Sequence, residues 1–123
     1  MPIEVYWYDD KHRLLMTDYQ GEWTIEDLFS MGKQAAEHLD QVDHPVILFQ
    51  HVHSMHVPRG LLGNFPQLSQ LPHLSHPNAE GYIIIGASGL VARMVQIFTQ
   101  VYQRFDVVDT IEEAVDLAYA RLA

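Results

Sequence analysis

The spacing of apolar positions along the chain predicts alternating strands and helices. Residues 3–8 and 14–19 are rich in apolar and aromatic side chains and flank a polar turn, which is typical of an antiparallel hairpin. Residues 46–49 and 82–85 are unbroken apolar segments, the pattern of parallel strands covered on both faces. A short last strand is predicted at 105–108. The sheet is therefore expected to be mixed, with parallel strands at its centre.

Helical periodicity fills the intervals between these strands. Thr24 and Thr110 are each followed by Ile-Glu and are expected to cap helices, with Glu113 completing a capping box at Thr110. A further helix is predicted over about 90–103. Prolines interrupt the middle of the chain, so one short helix near 60–71 is expected there. The expected fold class is α/β, an N-terminal hairpin and then βα units, packed with about four helices.

The composition narrows the classes of function. The chain has 123 residues, 48% of them hydrophobic and 19% charged, as expected of a single globular domain over 1–123. A net charge of −9 argues against nucleic acid or an anionic membrane surface as partner. No apolar segment approaches the roughly 18 residues of a membrane span, and the N-terminus does not resemble a signal peptide. With no cysteine in the sequence, a cytoplasmic location is expected.

Four segments, read with the order of elements, resemble a known family. They are Gly-Glu-Trp-Thr at 21–24, His-Pro-Val-Ile-Leu at 44–48, Tyr-Ile-Ile-Ile-Gly at 82–86, and residues 105–114. Together they resemble the STAS domain family (sulfate transporter and anti-sigma-factor antagonist), in particular its SpoIIAA-like branch. The resemblance covers nearly the whole chain and implies a non-enzymatic module that binds and regulates protein partners.

The loop after the central strand is where the chain departs from that family. Regulatory STAS domains present a phosphorylatable serine there, shortly before a glycine that begins the next helix. The resemblance aligns Gly60 with that glycine and Pro58 with the serine, while Ser54 lies nearby in a different register. Proline has no hydroxyl group, so the phosphorylation switch is not expected to carry over. The residues of this region expected to contact a partner are Ser54, Pro58, Arg59 as an anchor, Gly60, Leu61 and Phe65.

The helix predicted near 90–103 carries more apolar residues than one face can bury. Leu90, Met94, Ile97 and Val101 form one stripe, and a second stripe runs beside it. Core packing accounts for one stripe, so the excess predicts either a homodimer interface or a pocket for an apolar ligand. The first hypothesis is thus a homodimeric interaction module, and the alternative is a carrier of a small apolar or lipid-like molecule.

Histidines supply the main candidate chemistry. His51 and His53 share one face of a strand if the strand continues that far, and His56 could approach them from the loop. Three imidazoles suit zinc, nickel or copper, so a metal-dependent enzyme is the third hypothesis. The competing interpretation is a polar loop whose histidines bind backbone and water. Separately, Ser88 and Gly89 precede a helix and could accept an anion at its N-terminus. The sequence contains no catalytic constellation beyond these, and no cofactor other than such a metal is expected.

Overall fold

The computed structural model describes residues 2–53 and 56–123 and contains a five-stranded mixed sheet. The strands follow the order in which they occur in the chain, and β1 is antiparallel to β2 whereas every later neighbouring pair is parallel. This arrangement confirms the predicted hairpin followed by βα units. The strands are β1 (Ile3–Trp7), β2 (Leu14–Tyr19), β3 (Val46–Val52), β4 (Ala79–Ile85) and β5 (Asp106–Val108).

Four α-helices pack on this sheet, as the sequence predicted. They are α1 (Ile25–Leu39), α2 (Phe65–Leu68), α3 (Gly89–Val101) and α4 (Ile111–Leu122). The prediction of one helix near 60–71 is wrong in its extent. That region contains a 3₁₀ turn at Leu62–Asn64, the single turn of α2, and a second 3₁₀ turn at Pro72–Leu74. Pro72 has no N–H group to continue a helical hydrogen-bond ladder, so the segment breaks into short turns.

The order of the strands determines which face of the sheet each helix covers. Right-handed crossovers that always advance in one direction place their connections on the same face. Accordingly α1, α2 and α3 pack on the face that presents Leu15, Leu48 and Tyr82, named here the α1/α3 face. Helix α4 follows the last strand and packs Ala114 and Ala118 on the opposite face, the α4 face.

Coverage of the two faces is unequal. Helix α4 packs against β3, β4 and β5. In the described part of the chain no helix covers the α4 face of β1 in this way, and Tyr6 of β1 and Tyr8 just after it are each 40% exposed. One helix about 10–12 Å wide cannot cover five strands spaced about 4.8 Å apart. Polar side chains of β2 and β3 on this face therefore lie beside an open surface.

Side-chain caps begin α1 and α4 in different ways. The Thr24 hydroxyl accepts from the Asp27 N–H (3.1 Å), and the Asp27 carboxylate accepts from the Thr24 N–H (2.8 Å), a complete capping box. At α4, the Thr110 hydroxyl accepts from the Glu113 N–H (3.2 Å), as predicted. However, the Glu113 carboxylate accepts from the Thr110 hydroxyl (3.1 Å) instead of the Thr110 N–H, so the predicted capping box is only half formed.

Gly86 brings the ends of β3 and β4 close together. Its φ is +80°, and a Cβ atom there would lie 2.9 Å from the Val52 carbonyl oxygen. Its N–H donates to the Val108 carbonyl at 3.0 Å, which ties the end of β4 to β5. Only glycine fits both constraints without strain. Among the residues that the structure describes, no helix is long and apolar enough to span a membrane.

Candidate functional site

A cavity of about 120 Å³ lies between the α1/α3 face of the sheet and the helices above it. Its walls come from β2, β3, β4, α1, α3 and the segment 56–74, which forms its roof. Aromatic rings account for much of the lining, namely Tyr19, Trp23, Phe65, Phe98 and Phe105. Phe65 and Phe98 meet edge to face with ring centroids 5.1 Å apart, which ties the roof to α3. The apolar core on the α1/α3 face, the larger of the two, thus contains space for a small ligand, called the guest below.

The segment 56–74 contributes leucines to the cavity at irregular intervals. Leu61, Leu68, Leu71 and Leu74 all line it, and the last three are buried. Leu68 belongs to α2 and Leu74 to the second 3₁₀ turn, whereas Leu61 and Leu71 immediately precede the two 3₁₀ turns. The segment therefore covers the cavity without forming a continuous helix. Leu61 and Phe65, predicted from sequence as binding residues, both belong to this lining.

Three polar side chains interrupt the apolar lining. Gln50 follows Leu48 on the same face of β3 and is 9% exposed. The His56 Nε2 lies 3.0 Å from the Trp23 carbonyl oxygen, and the two rings meet edge to face. His73 is 2% exposed, its Nδ1 has no hydrogen-bond partner among the described residues, and burial lowers its pKa to about 4. These groups could bind a polar atom of a guest, and so could the buried Trp23 Nε1–H, which has no hydrogen-bond partner among the described residues.

The turn that precedes Leu61 leads into the roof of the cavity. Pro58 is buried, and its carbonyl accepts from the Leu61 N–H at 3.3 Å. Arg59 and Gly60 are exposed, and Gly60 has a φ of +81°, which glycine adopts without penalty. The Asn64 amide donates to the Gly60 carbonyl at 2.8 Å and closes the turn. The structure thus places Arg59 at the surface, and Ser54 lies outside the described residues.

The predicted anion site occupies the start of α3. Ser88 is the N-cap residue and makes no side-chain capping bond, and Gly89 is the first helical residue with a φ of +55°. Both residues are exposed, and neither lines the cavity. Anion binding at Ser88 and Gly89 therefore stays a sequence-based prediction.

A second cluster, separate from the cavity, lies on the α4 face. Strand β3 extends to Val52, so His51 belongs to the strand and His53 follows it on the same face. Asp18 of β2 is the register partner of His51, and its Oδ1 lies 2.6 Å from the His53 Nε2. The two imidazole rings have centroids 4.0 Å apart. Partial burial lowers the pKa of His51, and the neighbouring His53 lowers it further, whereas Asp18 raises it.

This cluster differs from the one expected from sequence. His56 contacts Trp23 at the cavity, on the other face of the sheet, and does not join His51 and His53. Asp18 takes its place. The sequence contains one usable signal for Asp18, because Asp18 is the polar position that alternates with Met16 and Leu14 on an otherwise apolar strand face. Its pairing with His51 depends on strand register, which residue spacing does not reveal.

Comparison of the chain with protein-family models found no match, and a search of curated proteins found none either. Two arrangements of side chains in the structure point to a function. One is an apolar cavity with three polar groups, and the other is a histidine–aspartate cluster on the opposite face of the sheet.

Lowering the pH is expected to decrease the free energy of unfolding because His73 is buried in its neutral form. An unperturbed imidazole has a pKa near 6.5, and burial lowers the pKa of His73 to about 4 in the folded protein. Between these values the unfolded chain binds a proton that the folded chain does not, so the free energy of unfolding decreases as the pH falls. The full loss is about 3 kcal/mol, at about 1.4 kcal/mol per pKa unit. Urea unfolding followed by tryptophan fluorescence, at several pH values between about 7 and 4, measures it.

His73→Phe is the control for this prediction. Phenylalanine keeps a buried aromatic ring but binds no proton, while the other titrating groups stay the same in both proteins. The difference in unfolding free energy between the wild type and His73→Phe should therefore change with pH across the interval from about 6.5 to 4. If the two stability curves stay parallel there, the buried neutral state of His73 is not correct.

Proposed function

We propose that the protein is a non-enzymatic binder of a small apolar molecule, which it holds in the cavity beneath the segment 56–74. The observation that carries the proposal is the cavity itself, lined by aromatic and aliphatic side chains with three polar groups among them. Well-formed apolar pockets with a few placed polar groups are the usual form of small-molecule sites. The cytoplasmic location expected from the sequence belongs to the same proposal.

The size of the cavity limits the guest. An engineered apolar cavity of about 150 Å³ accepts benzene or xenon. A cavity of about 120 Å³ therefore suits one small ring or a short aliphatic chain, and a full lipid requires the roof to open. At no more than about 1.5 kcal/mol per non-hydrogen atom, a six-atom ring gains at most about 9 kcal/mol, so its dissociation constant is no lower than about 10⁻⁷ M. Detection consequently needs a method suited to weak binding, such as NMR titration.

Gln50 favours a ligand that carries one polar group. Its amide can donate and accept hydrogen bonds, and it lies on β3 in the wall of the cavity. A guest with one hydroxyl or carbonyl group can form a hydrogen bond with that amide, whereas a hydrocarbon cannot. The ligand class favoured by the cavity is thus a small apolar molecule that carries a single polar group.

The mouth of the cavity lies where its lining residues are partly exposed. These residues are Val57 and Leu61 of the roof together with Met94 and Val95 of α3. Because they border both the cavity and the surface, a larger side chain at one of them should obstruct the cavity without entering the buried core. Met94 is the best placed for this purpose, since an unbranched side chain there tolerates substitution.

A second candidate function, self-association, is favoured by the outer stripe of α3. Leu90 is 51% exposed and Val101 is 65% exposed, with Met94 and Ile97 half-buried between them. Leu62 and Tyr102 add exposed apolar surface at 50% and 41%. A continuous apolar patch on a small protein is typical of an interface. This stripe supports a homodimeric form of the protein-interaction module that the STAS resemblance implies.

Met94→Trp is expected to weaken guest binding at least tenfold because the indole fills the mouth of the cavity. Titration of ¹⁵N-labelled wild-type protein with benzene and with phenol should give saturable shifts at residues that line the cavity. The control is Gln96→Trp, which adds the same side chain at an exposed position of α3 outside the lining. Equal binding by Met94→Trp and wild type, or unsaturable shifts in the wild type, would contradict the proposal.

Gln50→Leu is expected to reverse the preference between two matched guests. The wild type should bind phenol more tightly than benzene because phenol satisfies the Gln50 amide. In Gln50→Leu the phenol hydroxyl loses that partner, so its affinity should fall by about tenfold while benzene binding is kept or improved. The same NMR titrations measure both dissociation constants. An unchanged ratio of the two constants would exclude Gln50 from the contact with the ligand.

The double variant Leu90→Glu, Val101→Glu tests self-association. If the α3 stripe is the interface, wild-type protein should show a dimer mass by light scattering after size-exclusion chromatography. Two buried carboxylates should shift the variant to the monomer mass. Val107→Glu, at an equally exposed apolar position on β5, serves as the control. A monomeric wild type across the accessible concentrations excludes this candidate, and loss of the dimer only in Val107→Glu moves the interface to the sheet edge.

A further inference from the structure

We propose that Asp18, His51 and His53 form a binding site for one divalent transition-metal ion on the open part of the α4 face. Each of these residues offers one ligand atom, and the three atoms all lie within 4.8 Å of one another. The site is independent of the cavity, since it lies on the opposite face of the sheet. It also differs from the set of three histidines suggested by the sequence.

Backbone pairing holds two of the three ligands in place. Asp18 and His51 are register partners in the parallel pair β2–β3, so their side chains project side by side from the α4 face. His53 is two residues beyond His51 and projects from the same face. Rigid strands thus fix the directions of Asp18 and His51, and the third ligand stands at the end of the same strand, where it can still turn.

The three ligand atoms need to move only modestly to bind one ion. Ligand atoms about 2.1 Å from one metal ion are separated by about 3.0–3.4 Å in octahedral or tetrahedral geometry. His53 Nε2 and Asp18 Oδ1 are 2.6 Å apart, closer than two ligands of one ion, so this pair has to separate by roughly 0.5 Å. The widest separation in the cluster is at most 4.8 Å, so it must shorten by roughly 1.5 Å, which side-chain rotation can supply. The His53 side chain is 43% exposed and has room to rotate.

The surroundings of the cluster favour a cation with free coordination positions. The Asp18 Oδ2 accepts from the Gln20 amide at 3.2 Å, which orients the carboxylate. Glu4 of β1 is the register partner of Asp18 and adds a second negative charge on the same face. Two imidazoles and one carboxylate are ligands for Zn²⁺, Fe²⁺, Co²⁺ and Ni²⁺, and three protein ligands leave positions for water or a small molecule.

A simple ion pair is the competing explanation for the cluster. Contact between His53 and Asp18 accounts for those two residues, as at many protein surfaces. It gives no role to His51, which lies partly buried with its ring centroid 4.0 Å from that of His53. A metal ion would be bound by all three groups. The two explanations can be separated because only the metal site predicts that removal of His51 weakens metal binding.

The test uses the full-length protein without a histidine tag, stripped of metal and titrated with Co²⁺ and Zn²⁺. We expect visible absorption bands of protein-bound Co²⁺ that saturate at one equivalent, and native mass spectrometry should show one Zn²⁺ per chain. Asp18→Asn, His51→Asn and His53→Asn should each weaken binding at least about tenfold. All three positions are partly exposed at the surface, so the variants should fold, which the thermal transition and the NMR spectrum check.

His56→Asn and His44→Asn are the matched controls, since each removes one histidine outside the cluster. Both should bind Co²⁺ with wild-type affinity. The proposal is overturned if the wild type binds neither metal at micromolar concentration. It is also overturned if one-equivalent binding survives the loss of His51, or if binding is lost in His56→Asn, because the ligands then lie elsewhere.

Discussion

The register of β3 between its parallel neighbours is the constraint on which the rest of the structure depends. Leu48, Gln50 and Val52 project toward α1 and α3, whereas Phe49 and His51 project toward the α4 face. A shift of one residue would exchange these two sets and bury the histidine beneath the helices. Burial of apolar side chains on both faces of β3 makes such a shift costly. Both candidate sites are therefore fixed by the same strand.

The helices cover the two faces of the sheet unequally, and each face therefore carries a different candidate site. On one face, α1, α3 and the broken segment 56–74 together cover the sheet, and the irregular roof leaves a cavity above Gln50. On the other face α4 covers β3 to β5, and polar groups at the end of β2 and β3 remain accessible. The cavity is lined by apolar side chains and suits an apolar guest. The histidine–aspartate cluster is partly exposed to solvent and suits an ion.

The middle of the chain illustrates how local rules and packing combine. Proline spacing correctly excludes a long helix after the β3 loop, yet the lengths of the short turns follow from how Leu71 and Phe65 pack. A Cβ atom at Gly32 would lie 3.0 Å from Leu71, so α1 and this segment are in close contact. A roof built from such turns has few repeating hydrogen bonds of its own and depends on side-chain packing for its position.

The sequence by itself determined the order of the elements, the mixed sheet, the helix start at Thr24 and the apolar excess of α3, because periodicity and capping are local properties. The sequence also identifies Leu61 and Phe65 as candidate binding residues, because they add to the apolar excess of the chain, and both line the cavity. Only the tertiary structure decided that His56 turns to Trp23 and that Asp18 meets His51. Partners on different strands are chosen by register and by the faces that helices leave open, and both are set by packing of the whole chain.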